Sequence, residues 1–214
     1  MPLYPLSLKI DGRRCLVVGG GAVAERKVAS LVEFGADVVV VAPEATDQIR
    51  AWAASGRISL LARAFEQSDA AGALIAIAAT DDPQVNSAVA DAARASGALV
   101  NVVDVPDLCD FYVPASVTRG DLQITIGTGG SSPALAKRLR IDLERQFGPE
   151  YEAYLQLLAR LRGELKAHVP DRHRRNEAEE RFLASPALRL IAEGRLKDAE
   201  QILSDCLRMA EEGA

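Results

Sequence analysis

Three glycines follow a short apolar run near the start of the chain, and their spacing suits the binding of a dinucleotide. Residues 15–18 predict a buried strand, and a helical pattern of apolar residues begins directly after the glycines. Gly19, Gly21 and Ala24 match the spacing G-x-G-x-x-G/A of a dinucleotide-binding turn. In such a turn the first glycine permits the sharp bend, the second lets the backbone approach a pyrophosphate, and the small third residue lets the helix pack closely on the strand.

The expected contacts to the cofactor lie at the start of this helix and at the end of the next predicted strand. The backbone amides of Ala22 and Val23 would face the phosphates. The strand-end position that usually carries an acid for the ribose hydroxyls is occupied by Ala42 and Pro43, and Glu44 comes slightly later. No arginine immediately follows the strand to favour a 2′-phosphate, so the pattern favours NAD. Glu44 fits a ribose contact and a solvated carboxylate at a helix start equally well.

One acidic residue stands where a general base would be placed. Asp104 directly follows the apolar strand predicted at residues 99–103. Ligands of open α/β sheets lie outside the carboxyl ends of the strands, and a carboxylate there could accept a proton during catalysis. A capping or loop role is the alternative, and the position alone leaves both open.

A second glycine-rich segment has the composition of an anion-binding loop. It consists of Thr128, Gly129, Gly130, Ser131 and Ser132. Its glycines would let backbone N–H groups turn outward, and the positive end of the helix that begins at Pro133 would face the loop. A glycine-rich connector that ends in a helix cap explains the pattern equally well.

Composition and charge exclude several classes of protein. The chain has 214 residues, of which 49% are hydrophobic and 26% charged, and a net charge of −5, which argues against a general nucleic-acid binder. Cys15, Cys109 and Cys206 lack C-x-x-C spacing, and His168 and His173 are the two histidines, so we expect no disulfide framework and no resident metal. We expect no signal peptide and no membrane span, and hence a cytoplasmic protein.

The elements that must position these residues alternate in type over the first half of the chain. Strands are predicted at residues 15–18, 38–42, 58–62, 74–79 and 99–103, with helical patterns between most of them. This alternation at short spacing predicts an α/β fold with a doubly wound parallel sheet of the Rossmann type.

The pattern changes after Asp104. Two strands at residues 113–118 and 122–126 flank a turn signal and predict an antiparallel hairpin, which a helix follows to about Phe147. Only helical patterns occur after Pro149. We therefore expect three parts: a Rossmann domain over residues 1–112, a small hairpin-and-helix segment over 113–148, and an all-helical domain over 149–214.

Four stretches in this order resemble the NAD-dependent precorrin-2 dehydrogenases, a family that includes the amino-terminal half of siroheme synthase. They are residues 17–27, 78–82, 101–106 and 129–133. The resemblance extends from about Leu6 to Phe147. It implies oxidation of precorrin-2 to sirohydrochlorin with NAD as the hydride acceptor. Some members also insert ferrous iron to give siroheme, and the resemblance leaves open whether this chain does so.

The resemblance also implies roles for particular residues. The essential aspartate of the family falls on Asp104, and the cofactor contacts fall on the backbone of Ala22 and Val23 and on Pro43 and Glu44. An ionised aspartate at this place would accept the proton that the substrate loses.

Further implications concern substrate anchoring and assembly. Because the substrate carries several carboxylates, the loop at Thr128–Ser132 and the basic run at residues 172–175 are candidate anchors. A serine that is phosphorylated in the fused enzyme falls on Thr128. The members are homodimers whose middle segment forms the interface, which predicts an interface within residues 113–147.

Two other functions compete with this interpretation. A NAD-sensing regulatory module would share the glycine turn, but such modules usually carry the strand-end acid and have no need of Asp104. A chelatase with a vestigial turn would not need intact Gly19, Gly21 and Ala24.

Overall fold

The computed structural model describes residues 3–212 and divides the chain into two compact units. The first unit is Tyr4–Val113, and the second comprises residue 3 and residues 114–212. The predicted division into residues 1–112, 113–148 and 149–214 stays a prediction.

The first unit is built on a five-stranded parallel sheet, as the sequence predicts. Its strands are β1 (Arg14–Val18), β2 (Asp37–Val41), β3 (Ser59–Leu61), β4 (Ile75–Ala78) and β5 (Leu99–Val102). They lie in the order β3-β2-β1-β4-β5, which is the Rossmann order. The helices that connect them are α1 (Ala22–Glu33), α2 (Asp47–Ala54) and α3 (Pro83–Ala95), together with a short 3₁₀ turn at Gln67–Ala70.

Both faces of the sheet are buried, which explains why its strands are apolar at nearly every position. On one face Leu16 and Val18 belong to a core that includes residues of α3. On the other face Val17 and Val38 pack in a core with residues of α1 and with Ile49 of α2. Strands covered by helices on both sides cannot alternate apolar and polar residues.

The helix ends follow local sequence signals. Asp82 caps α3 by accepting from the amides of residues 84 and 85, and Pro83 occupies the first helical position. Thr46 caps α2 in the same way. Gly35 and Gly97 follow the last residues of α1 and α3 by two positions, and their positive φ angles of 75° and 76° are typical of the glycine that ends a helix.

The second unit begins with a hairpin and continues as helices. Its elements are β6 (Ala115–Arg119), β7 (Leu122–Ile126), α4 (Pro133–Gln146), α5 (Glu150–His168), α6 (Arg172–Leu183), α7 (Ala187–Ala192) and α8 (Leu196–Glu212). β6 begins two residues later than predicted, because Pro114 has no N–H to donate to a ladder. In the helical core Phe182 is fully buried and stacks on Tyr154, with ring centroids 5.6 Å apart. Over residues 3–212, no helix is both long and apolar enough to cross a membrane.

A buried carboxylate stabilises the connection between β3 and β4 through hydrogen bonds. Asp69 is 5% exposed and accepts two hydrogen bonds from the Arg63 guanidinium, at 2.6 and 2.8 Å, and a third from the Glu66 amide at 2.9 Å. Arg14 of β1 donates to its main-chain oxygen at 3.3 Å. The side-chain hydrogen bonds from Arg63 are the main cause that lowers the pKa of Asp69 below its ordinary value.

We expect the substitution Asp69→Asn to destabilise the Rossmann unit by about 2 kcal/mol at pH 7, and by much less in acid. Because the pKa of Asp69 is lower in the folded than in the unfolded state, its stabilisation is fully present above the unfolded pKa of about 3.9. It is lost as the pH falls through the folded pKa. Urea denaturation, followed by the fluorescence of Trp52, the only tryptophan, measures this difference at pH 7 and at lower pH.

Asp47→Asn is the matched control, because the Asp47 carboxylate is fully exposed and pairs with Arg50 at the surface. We expect it to change the free energy of unfolding by less than about 0.5 kcal/mol at either pH. A loss for Asp69→Asn that is the same at pH 7 and pH 3 would contradict the role of its ionised form.

Candidate active site

The carboxyl ends of four neighbouring strands form one edge of the sheet, and main-chain hydrogen bonds continue past the strands there. The Gly19 amide donates to Val41 O at 3.0 Å, and the Ala79 amide donates to Val18 O at 2.8 Å. The strand order reverses between β1 and β4, the place where open α/β sheets bind their ligands. Three segments lie at this edge because each follows a strand: the glycine turn after β1, the residues after β4, and Asp104 after β5.

Two of the three glycines are required by close backbone contacts. Gly19 has a φ of 120°, and a Cβ there would overlap the carbonyl oxygen of Ala79. A Cβ on Gly20 would overlap the carbonyl oxygen of Glu44, and the Thr46 amide donates to Gly20 O at 2.9 Å. The sharp bend at Gly19 is the predicted one. The requirement at Gly20 is missed by the sequence motif, which leaves that position unspecified.

Gly21 differs from both, because its backbone borders open space. It is exposed, and a Cβ built on it would meet no atom within 4 Å. It precedes α1 without a side-chain cap, so the amides of Ala22 and Val23 have no acceptor inside the helix. The positive end of the helix therefore faces an open backbone cradle, and this arrangement fits the pyrophosphate of a dinucleotide.

The segment after β2 lies against the glycine turn. Pro43 and Glu44 are exposed, and the carbonyl of Glu44 packs on Gly20. Ala42, at the usual place of the strand-end acid, is buried. Among the described residues, the Glu44 carboxylate makes no hydrogen bond or ion pair, so the fold leaves it available for a ribose. The structure thus brings Gly19, Gly21 and Glu44 to one place, as the sequence predicts.

The residues after β4 are held by a buried amide. Asn86 of α3 accepts from the Thr80 hydroxyl at 2.8 Å and donates to the Thr80 carbonyl at 3.0 Å. These bonds fix the chain immediately after Ala79, whose carbonyl limits the space at Gly19. Asn86 is a positioning residue that the sequence analysis missed, although its place one turn into α3 is typical of a side chain that bonds back to a loop.

Asp104 adopts a backbone conformation that aspartate rarely occupies. Its φ of 60° is the only positive φ at a non-glycine position in residues 3–212. The left-handed region costs a residue with a Cβ roughly 1–2 kcal/mol, although aspartate tolerates it better than most. The side chain is exposed, and it makes no hydrogen bond or ion pair with the described residues. Such local strain persists where the surrounding structure enforces it, often at functional sites.

The chain after Asp104 returns along the free edge of β5 and is fastened there. The Asp110 carboxylate accepts from Arg94 at 3.0 and 3.2 Å and from the Val100 amide at 3.1 Å. The Asn101 side chain is buried and donates to Phe111 O at 2.9 Å. The sequence offers no local signal for the partnership of Arg94 and Asp110.

The second glycine-rich loop lies in the other unit. Gly129 and Gly130 have φ angles of 59° and 81°, and the Ser131 amide donates to Thr128 O at 3.0 Å. The Thr128 hydroxyl accepts from the Ser132 amide at 3.3 Å, and the Ser132 hydroxyl caps α4. The loop and the cap are as predicted, whereas a role in anchoring the substrate stays a prediction.

The basic run at residues 172–175 has at least one structural task. Arg175 donates to the carbonyls of Val169 and Pro170, at 2.8 and 2.7 Å, just beyond the end of α5. His168 and His173 each lie 3.4 Å from a glutamate one turn away. Within residues 3–212, no group of three or more His, Cys, Asp or Glu side chains could hold a metal ion.

Family models match nearly the whole chain. A model described as NAD(P)-binding matches residues 6–115. A model of the central part of the sirohaem biosynthesis protein matches residues 119–146, and one of the sirohaem synthase dimerisation region matches residues 150–207. The predicted NAD cofactor is thereby confirmed at the level of an NAD(P)-binding family.

Curated relatives and a solved structure agree with these matches. The chain is 43% identical to the siroheme synthase of Methylococcus capsulatus over 95% of its own length and 43% of that protein. It is 38% identical to the siroheme synthase of Nitrosococcus oceani over 97% of its length and 44% of that protein. The chain thus spans less than half the length of these relatives.

The structural match covers a whole protein. The structure of SirC, a precorrin-2 dehydrogenase, aligns with a TM-score of 0.79 and 27% identity over 95% of this chain and 100% of that chain. The Rossmann order of the sheet, the hairpin and the helices that follow are therefore shared with it. The chain belongs to the NAD(P)-binding family whose model covers its first half, and its second half matches models of the central and dimerisation regions of sirohaem synthase.

Proposed function

We propose that this protein oxidises precorrin-2 to sirohydrochlorin with NAD as the hydride acceptor, as a step of siroheme biosynthesis. The observation that carries the proposal is the placement of Asp104 on the same sheet edge as the dinucleotide cradle, in a strained backbone conformation with an uncommitted carboxylate. The similarity to SirC and to siroheme synthases supports this choice of substrate.

The glycine turn would hold the cofactor. The backbone at Gly21, Ala22 and Val23 would bind the pyrophosphate, and Pro43 and Glu44 would lie beside the ribose. When bound, NAD supplies the hydride acceptor. We favour NAD over NADP because no arginine immediately follows β2 to bind a 2′-phosphate.

Asp104 would act as the general base. Its strand, β5, is two positions from β1 in the sheet, so roughly 10 Å separates the strand that carries it from the one that carries the turn. When a C–H bond of the substrate loses its hydride, a proton must also leave to restore a neutral conjugated ring. The Asp104 carboxylate accepts that proton.

Other assignments stay predictions from the sequence. They are the insertion of ferrous iron, the anchoring of substrate carboxylates by Thr128–Ser132, and the cytoplasmic location. We also propose a homodimer. The resemblance in sequence predicts an interface within residues 113–147, whereas the model described as a dimerisation region matches residues 150–207.

We expect Asp104→Asn to lower kcat for NADH formation from precorrin-2 by at least about a hundredfold, while the Kd for NAD stays within twofold. Asparagine tolerates the left-handed conformation, so the variant removes the base and keeps the turn. The measurement is anaerobic, with NADH and sirohydrochlorin followed together by absorbance. Asp107→Asn, three residues along the chain at another exposed carboxylate, is the matched control with unchanged kcat.

Two results would reject the assignment. A fully active Asp104→Asn protein would show that the carboxylate is not the base. If the wild-type protein binds NAD but forms neither NADH nor sirohydrochlorin above the enzyme-free control, the NAD-sensing alternative replaces the enzyme.

We expect Gly21→Ala to raise the Kd for NAD at least about tenfold, with a loss of stability of no more than about 1 kcal/mol, because glycine caps a helix better than alanine. Its Cβ meets no protein atom, but it occupies the space that a pyrophosphate would approach. Isothermal titration gives the Kd, and thermal unfolding checks the fold. Gly163→Ala in α5, whose Cβ also meets open space, should leave the Kd unchanged, and unaltered binding by Gly21→Ala would contradict the cradle.

We expect Leu139→Glu to convert a dimer into a monomer, as measured by light scattering on a size-exclusion column. Leu135 and Leu139 lie one turn apart on α4 and are 49% and 39% exposed, so a charge in a dimer interface there would be buried without a partner. Leu183→Glu on α6, at a leucine that is 49% exposed within residues 150–207, is the comparison. If Leu183→Glu dissociates the dimer and Leu139→Glu does not, the interface lies within residues 150–207 and not within residues 113–147.

A further inference from the structure

We infer that the thiol of Cys109 positions Asp104 by holding both ends of the turn in which this residue adopts its left-handed conformation. The inference rests on the proposed function, in which the Asp104 carboxylate is the general base. Cys109 would touch neither substrate nor cofactor and would act only through the backbone of residues 102–105.

One sulfur atom contacts both sides of the turn. The Val102 amide donates to Cys109 Sγ at 3.2 Å, and the same sulfur lies 3.2 Å from Val102 O and 3.3 Å from Val105 O. A thiol has one hydrogen to donate and can accept as well, so it serves the amide and one of the two carbonyls at the same time. Asp104 lies between the two residues that the sulfur contacts.

The thiol also accepts a hydrogen bond from an amide on the free edge of the sheet. β5 is the last strand of the sheet, so the Val100 and Val102 amides on its free edge have no neighbouring strand. The Asp110 carboxylate accepts from the first and Cys109 Sγ from the second. The Val105 amide then donates back to Val102 O at 3.3 Å and closes the turn around Asp104.

The contribution of the thiol can be separated from the anchoring of the loop. The bonds from Arg94 to Asp110 do not involve Cys109, so they keep the loop on β5 when the sulfur is removed. The Asn101 amide donates to Cys109 Sγ at 3.6 Å, but its shorter bond to Phe111 O at 2.9 Å remains without the sulfur. Loss of the thiol should therefore free the turn alone. Asp104 can then relax to a negative φ, which moves its carboxylate.

The kinetic test compares Cys109→Ala, Cys109→Ser and the control Cys206→Ala, which removes a buried thiol of the helical unit. We expect Cys109→Ala to lower kcat about tenfold, because a misplaced base slows proton transfer. The KM for precorrin-2 and the Kd for NAD should stay within twofold. Cys109→Ser keeps a donor and an acceptor and should recover most of kcat, and Cys206→Ala should leave kcat unchanged.

A double-mutant cycle tests whether the thiol acts through the carboxylate. In an Asp104→Asn background, Cys109→Ala should lower the residual kcat no further, because the group that it positions is already gone. A further tenfold loss in that background, or an unchanged kcat for Cys109→Ala alone, would overturn the inference.

A readout without substrate separates this inference from the proposed function. In the cofactor-free protein, Cys109→Ala should speed hydrogen exchange of the Val102 and Val105 amides at least about tenfold and leave the Val100 amide unchanged. Unchanged protection of Val102 and Val105 would overturn the inference even if the enzyme is active. If the wild-type protein does not oxidise precorrin-2, the proposed function is rejected. Faster exchange in Cys109→Ala would in that case still show that the thiol stabilises the turn.

Discussion

The site depends on a steric constraint at the first βα turn, where the backbone passes between two other segments with no room for a side chain. The carbonyl of Ala79, after β4, closes the space at Gly19, and the carbonyl of Glu44, after β2, closes it at Gly20. These contacts fix the ends of three strands relative to one another. Of the three glycines in this turn, Gly21 alone borders open space.

Hydrogen bonds along the same sheet edge also fix the segments that follow β4 and β5. Asn86 holds the chain after Ala79, and β5 pairs with β4 up to the Val103 amide, which donates to Ala78 O at 2.9 Å. Asp104 follows directly. Its position is thus set by the sheet, and its backbone conformation by the loop fastened on the outer edge of β5. The backbone of Gly21 and the carboxylate of Asp104 reach one edge although 83 positions separate them in the sequence, because parallel strands end on the same side.

Much of this arrangement follows from patterns that the sequence displays locally. Apolar runs mark the strands, Asp82 and Pro83 mark the start of α3, and the spacing of Gly19 and Gly21 marks the turn. What could not be predicted depends on contacts between distant segments. The need for glycine at position 20 comes from a carbonyl 24 residues away, and the link between Arg94 and Asp110 joins a helix to a loop across a strand.

Three other aspartates of the Rossmann unit have a structural role that Asp104 lacks. The carboxylate of Asp69 is buried on Arg63, that of Asp82 caps α3, and that of Asp110 holds Arg94 and an amide of β5. Each of these carboxylates satisfies a hydrogen-bonding need of the fold. That of Asp104 satisfies none among the described residues, and a φ of 60° would be met at lower cost by glycine. Stability therefore gives no reason for an acid at this left-handed position, and the proposed transfer of a proton to its carboxylate would give one.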